Sequence, residues 1–166
     1  MKTEKNIPGR NILDQATVHG DAVVEGGARA SGRAVVSGNA VLSDYAVATG
    51  DVWVSGNAYV TNSSKVTDSA AVFDNAIVGG HVVVSENAVV FGKAIVSGNA
   101  RVSGNARVFG EASVSEFAVI KGNAVVRGGA VVYGNAVILG GEWDGSEGEI
   151  TTGRWIAPGV PAPEQE

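Results

Sequence analysis

The chain contains no cysteine, which excludes disulfides, thiolate metal sites and a cysteine nucleophile, and leaves the redox compartment open. Proline is scarce at 4 of 166 residues, and the 24 glycines show no three-residue period, so a collagen-like helix is excluded. Aromatic residues make up only 6%, too few for one bulky core. No charge sign dominates: the net charge is −5 and Lys and Arg are scattered along the chain. That gives no footprint for nucleic acid, and no dense acidic face for a DNA mimic. Long apolar runs are missing too, because Gly, Asn, Ser or a charge interrupts every few residues. No segment therefore reaches membrane-spanning length. The opening MKTEKNIPGR lacks the apolar core of a secretion signal. The expectation is a cytoplasmic protein without nucleic-acid or membrane partners. What is present is 45% apolar residues, mostly Val and Ala, which suits many small, equal core layers.

Those layers follow a strict period. Cut in sixes from Ala16, the chain gives 21 hexads that end at Gly141 without an insertion. Arg10 to Gln15 fit loosely as a leading hexad. Slot one is Ala in 18 of 21 hexads, with Val52, Ser64 and Val82 as exceptions. Slot three is Val, Leu or Ile in 19, with Ala30 and Ala48 as exceptions. Slot five is Gly in 15 and Asp, Glu or Asn elsewhere; slot six is often Asn. Alternation over four residues is strand periodicity, so slots one and three share a face and slots two and four point the other way. Gly-Asn then supplies a corner, since both residues tolerate left-handed backbone angles. Strands this short need neighbours, and stacking coil on coil provides them.

Read from slot three, V-x-G-N-A-x resembles the hexapeptide repeat of left-handed parallel β-helices. The resemblance covers Ala16 to Gly141 and is nearest to loop-free hexapeptide-repeat proteins of bacteria and their phages. It implies an all-β triangular solenoid with three hexads, or 18 residues, per coil and about seven coils. The left-handed coil comes from the resemblance; it is an exception to the usual crossover rule. Such a prism stands about 35 Å tall at a strand spacing of about 4.8 Å. Val36 and Ala40 then point inward, and residues 18 apart stack. Ala30 and Ala48 fall on one face in adjacent coils, where Leu42 is placed to fill the narrowed core.

The same register sorts the outside. The first face carries Trp53, Ala71 and Val89 in slot two, and Phe73, Phe91 and Phe109 in slot four. The three Phe are expected to form an aromatic ladder. The second face carries Val23, Val41, Tyr59, Ile77, Ile95 and Val131 in slot two. The third reads Arg29, Val47, Lys65, Val83 and Arg101 beside Ser31, Thr49, Thr67, Ser85 and Ser103, and is assigned to solvent. Aligned apolar columns exceed what soluble monomers usually expose. They point to self-association, and the resemblance implies a homotrimer about an axis parallel to the prism. Trp53, Tyr59, Phe73, Ile77, Phe91, Ile95 and Phe109 are the candidate contact residues. At the corners, Asn39, Asn57 and Asn75 form one candidate ladder and Asn87, Asn105 and Asn123 another.

The organisation expected is a lead-in over 1–9, the repeat over 10–141, a cap over 142–157 and a flexible tail over 158–166. The cap breaks the repeat and brings Trp143, Ile150, Trp155 and Ile156 to cover the open end. Its acidic run, Asp144, Glu147 and Glu149, is an alternative cation or partner site. Many relatives implied by the resemblance are acyltransferases that use a His base between subunits; others hold zinc with three His. This chain has only His19 and His81, so a site of three distinct His cannot be drawn from one subunit, nor from a neighbour in a homotrimer that repeats only these two. No metal or cofactor is expected. His81, at a corner in the column Tyr45, Ser63, His81, Asn99 and Phe117, is the one weak catalytic candidate. The absence of inserted loops argues against an enzyme, because catalytic residues concentrate on loops. The reading is a non-enzymatic, rigid, homo-oligomeric scaffold or binding protein, with a virion role open. The alternative is an acyltransferase-like enzyme, or a binder of a small acyl-CoA or nucleotide ligand in grooves between subunits.

Overall fold

The computed structural model describes residues 11–146 and 148–156. The expected lead-in over 1–9, the tail over 158–166, and Arg10, Glu147 and Ala157 lie outside the described residues. Throughout the described chain the elements are short strands, beginning with Thr17–Val18 and ending with Arg154–Ile156. They form three parallel sheets of eight, seven and eight strands, each strand paired with the one three places on, except that Val137–Gly140 pairs with Arg154–Ile156, two places on. The pairs Val35↔Trp53, Tyr59↔Ile77 and Lys65↔Val83 are all 18 residues apart. One coil is therefore three hexads.

Each hexad ties its coil to the next. Val35 N–H donates to the Val52 carbonyl, Ser37 N–H to Val54 and Asn39 N–H to Gly56, at 2.9, 2.9 and 2.7 Å. Slots one and three fill the interior; from Ala22 to Ile138 every one of them is buried. Fully burying a Val side chain contributes roughly 1.5–3 kcal/mol, and the repeat does this in each hexad with few exceptions. Ala30 and Ala48 are paired neighbours on the third sheet, and Leu42 is among the largest fully buried side chains. Ser64 is the one polar slot-one residue, buried completely. Its hydroxyl donates to the Thr61 carbonyl at 2.6 Å, so its burial is compensated.

The corners turn at slot five, not at slot six. Every slot-five residue from Gly20 to Gly134 has positive φ, including Asp44 at 58° and Glu116 at 59°. The non-glycine residues there are short carboxylates or Asn, the types that tolerate this region best, apart from Glu86 and Glu116. Several of them gain a bond in return. The Asp44, Asp68, Asp74 and Glu116 carboxylates accept the backbone N–H of the slot-five residue one coil on, at 3.1, 3.0, 3.2 and 3.1 Å.

The prism has about eight coils instead of about seven, because the segment after Gly141 continues all three faces. Glu142–Trp143 pairs with Val125–Val126, Ile150 bridges Val132, and Arg154–Ile156 pairs with Val137–Gly140. The register drops to 17 residues at Val126↔Trp143, and a bulge lies between Ile138 and Gly140. Trp143 and Ile150 are buried in the core, and Trp143 meets Trp155 edge-on at 5.7 Å between ring centroids. Ile156 is half-buried. The cover over the seventh coil is thus a further, irregular coil whose large side chains close the end of the interior.

Candidate interaction faces

The first and second faces meet at one edge, and large apolar side chains flank it on both sides. Phe73, Phe91 and Phe109 stack with ring centroids 5.0 and 4.6 Å apart and interplanar angles of 19° and 11°. Their 18-residue spacing places them one strand apart, and that separation is close to the stacking distance of aromatic rings. Arg107, two residues before Phe109 and on the same outer face, lies over the Phe91 and Phe109 rings at 5.4 and 5.3 Å. The repeat contained the signal for this contact, since slots two and four of one hexad share a face, but sequence reading had passed over it. Across the edge, Tyr59, Ile77 and Ile95 are hydrogen-bonded neighbours in three successive strands, each 44% exposed. Only Asp74, Asn75 and Ala76 separate Phe73 from Ile77 in the chain. Trp53 is 60% exposed on the first face, one strand from Ala71.

The edge itself is polar. Asn39 donates to Asn57 and Asn57 to Asn75 through their side-chain amides, at 2.9 and 3.0 Å. Lys93 continues the column and pairs with Glu111 at 3.2 Å. In the second expected ladder only Asn105 and Asn123 are bonded, at 3.2 Å; Asn87 has no side-chain partner among the described residues.

At the corner between the second and third faces, Tyr45 and Phe117 are 73% and 60% exposed. His81 sits in that column, exposed, with its backbone N–H on the Gly98 carbonyl at 2.7 Å. Its imidazole has no hydrogen-bond partner among the described residues. Two coils before it on the same corner, Asp44 is held below the usual carboxylate range, first by the Thr61 hydroxyl at 2.6 Å and then by the Asn62 N–H. His19 is exposed on the first face, four coils before Phe91, and the two histidines are not brought together.

The acids after Gly141 are already engaged. Asp144 is lowered by hydrogen bonding to Ser146, and Arg127 pairs with both Glu142 and Asp144. Glu149 accepts the Tyr133 hydroxyl at 2.9 Å, which pushes that phenol up. Glu147 lies outside the described residues. Among the described residues no three metal-ligating side chains come together, and no helix is long and apolar enough to cross a membrane.

No curated protein and no solved structure shows significant similarity to the chain. Residues 100–116, a stretch of the sixth coil and its approach, match a family model described as the YdcK beta solenoid repeat. That match and the 18-residue parallel register agree on one conclusion: the protein is a β-solenoid repeat protein.

Proposed function

We propose that the protein is a non-enzymatic, rigid scaffold that assembles with copies of itself, as a trimer about an axis parallel to the rod. The V-x-G-N-A-x repeat places it, in this reading, with the loop-free members of the hexapeptide-repeat superfamily. One observation carries the proposal: the apolar ridge formed by Phe73, Phe91 and Phe109 on one side of an edge and Tyr59, Ile77 and Ile95 on the other. Each column is unbroken over three coils and the two together span four, with the polar corner of Asn57, Asn75 and Lys93 between them, whereas soluble monomers usually scatter such residues singly. A parallel-stranded rod also presents the ridge straight, so one copy can lay it along another over its length.

The enzymatic alternative rests on His81 alone. A general base needs a partner that fixes its ring and tautomer, and His81 has none among the described residues. Light scattering tests the scaffold. The expected mass is three times the chain mass of 16.8 kDa, falling to one chain in Ile77→Lys/Ile95→Lys with an unchanged β circular-dichroism spectrum. A monomer at high concentration refutes the proposal. Calorimetric binding of acetyl-CoA, together with acetyl transfer that His81→Ala abolishes while binding persists, would favour the enzyme instead.

A further inference from the structure

The described cations divide sharply by face. Off the third face all are engaged: Arg33 with Asp51, Lys93 with Glu111, Arg127 with Glu142 and Asp144, and Arg107 over two Phe rings. The other five, Arg29, Lys65, Arg101, Lys121 and Arg154, all project from the third face. None of them forms an ion pair among the described residues. No carboxylate occupies an outward position of that face. The acids nearest to it sit at its corners, and those of Asp44, Asp68 and Glu116 point along the axis onto backbone N–H groups.

Within the face the cations are spaced regularly. The strand register Arg29↔Val47↔Lys65↔Val83↔Arg101 places a cation, then an aliphatic side chain, in alternate coils. The three cations are exposed and the two Val half-buried. Cations two coils apart stand about 10 Å from one another. Beside them runs the hydroxyl column Ser31, Thr49, Thr67, Ser85 and Ser103, in which the Ser31 hydroxyl donates to Thr49 at 2.9 Å.

From this pattern we infer that the third face binds a linear carboxylated polysaccharide in which charged and uncharged sugars alternate. An extended β-linked pyranose chain advances by close to one strand spacing per ring. A carboxylate on every second ring then meets Arg29, Lys65 and Arg101, with Arg suited to take it in two hydrogen bonds. The intervening neutral ring rests its C–H face on Val47 or Val83, and ring hydroxyls exchange hydrogen bonds with the Ser and Thr column. Nucleic acid fits less well: every nucleotide carries a charge, and the outward positions of this face hold no aromatic platform for bases. The inference does not depend on self-assembly. Where copies do assemble through the opposite edge, each keeps its strip outward and binding becomes multivalent.

The test is calorimetric titration of the full chain with hyaluronate oligosaccharides, whose uronates alternate with neutral sugars. Polygalacturonate, dextran and single-stranded DNA serve as comparators. The expected result is hyaluronate binding that weakens as salt rises. Lys65→Ala/Arg101→Ala should weaken it by about tenfold, two exposed ion pairs being worth that much together. Lys93→Ala, paired on another edge, should bind as the parent does. Absence of hyaluronate binding overturns the inference, as does equal or tighter binding of any comparator, or a double variant that is unaffected while its circular dichroism is native. A chain that scatters as a monomer yet binds hyaluronate would refute only the proposed assembly.

Discussion

Replacing Gly38 tests whether slot five is governed by backbone strain or by what its side chain can reach. Gly38 has φ of 69°, and its neighbours above and below in the stack, Gly20 and Gly56, are also glycine. A Cβ there would stand 2.9 Å from the Gly56 carbonyl oxygen and 3.0 Å from its nitrogen. Gly38→Ala therefore costs about 1–2 kcal/mol for the left-handed backbone, plus whatever the Gly56 corner must shift. Gly38→Asp meets the same backbone but adds a carboxylate placed as Asp74 is on that edge, where it accepts the Gly92 N–H at 3.2 Å. The Gly56 N–H has no acceptor among the described residues. A hydrogen bond to a charged group contributes about 1.5–3 kcal/mol, less here because the corner is exposed. The Asp variant should then exceed the Ala variant by about 1–2 kcal/mol and lie near the parent. For a chain of this size that is a gap of roughly 2–8 °C in melting temperature. Gly38→Asn separates the terms, since it tolerates the same angles without the charge. Thermal melts at neutral pH and at pH 2 are the assay. Asp and Ala variants that melt together at neutral pH would refute the reasoning, as would a gap that survives protonation of the carboxylate.

Two further outcomes follow from the same geometry. Asp44 is lowered in the fold, by Thr61 first and the Asn62 N–H second. Its contribution is thus present above its ordinary value of 3.8 and lost as pH falls through the lower folded one; acid titration of stability should show a smaller loss in Asp44→Asn, and an identical loss would sink the assignment. Ser64→Ala should change stability by less than about 1 kcal/mol in urea unfolding, because it removes one modest hydrogen bond and restores the residue that the interior holds elsewhere. A loss above about 2 kcal/mol would mean that the carbonyls of Thr61 and Val78 depend on the Ser64 hydroxyl.

Much of the architecture was legible because this fold repeats its local rules. Side-chain alternation assigned Val36 and Ala40 to the interior, and one 18-residue translation then placed the rest of the repeat up to Gly141, Phe73 over Phe91 included. The narrow point at Ala30 and Ala48 could be located without coordinates for the same reason. The final coil was not legible, because its register slips by one residue at Trp143 and its corners lengthen, so periodicity offered only a break. The slot-five carboxylate bonds were missed as well. They depend on which backbone N–H is left unpaired at a corner, and that is set by the coil-to-coil hydrogen-bond pattern.

The amino-acid sequence by itself determined the strands, the six-residue period and which slots face inward, since such an alternation with a left-handed corner has few ways to bury its Val and Ala; the 18-residue coil was implied by the resemblance and is shown by the strand register. Only the tertiary structure decided how the columns interact. It showed which of the described cations are consumed by carboxylates and rings and which five of them form no ion pair among the described residues, all on one face, and that the segment from Glu142 to Ile156 adds a coil. Those outcomes depend on side-chain reach across corners and on distances between strands that are 18 residues apart in the chain, and neither quantity is written in the order of residues.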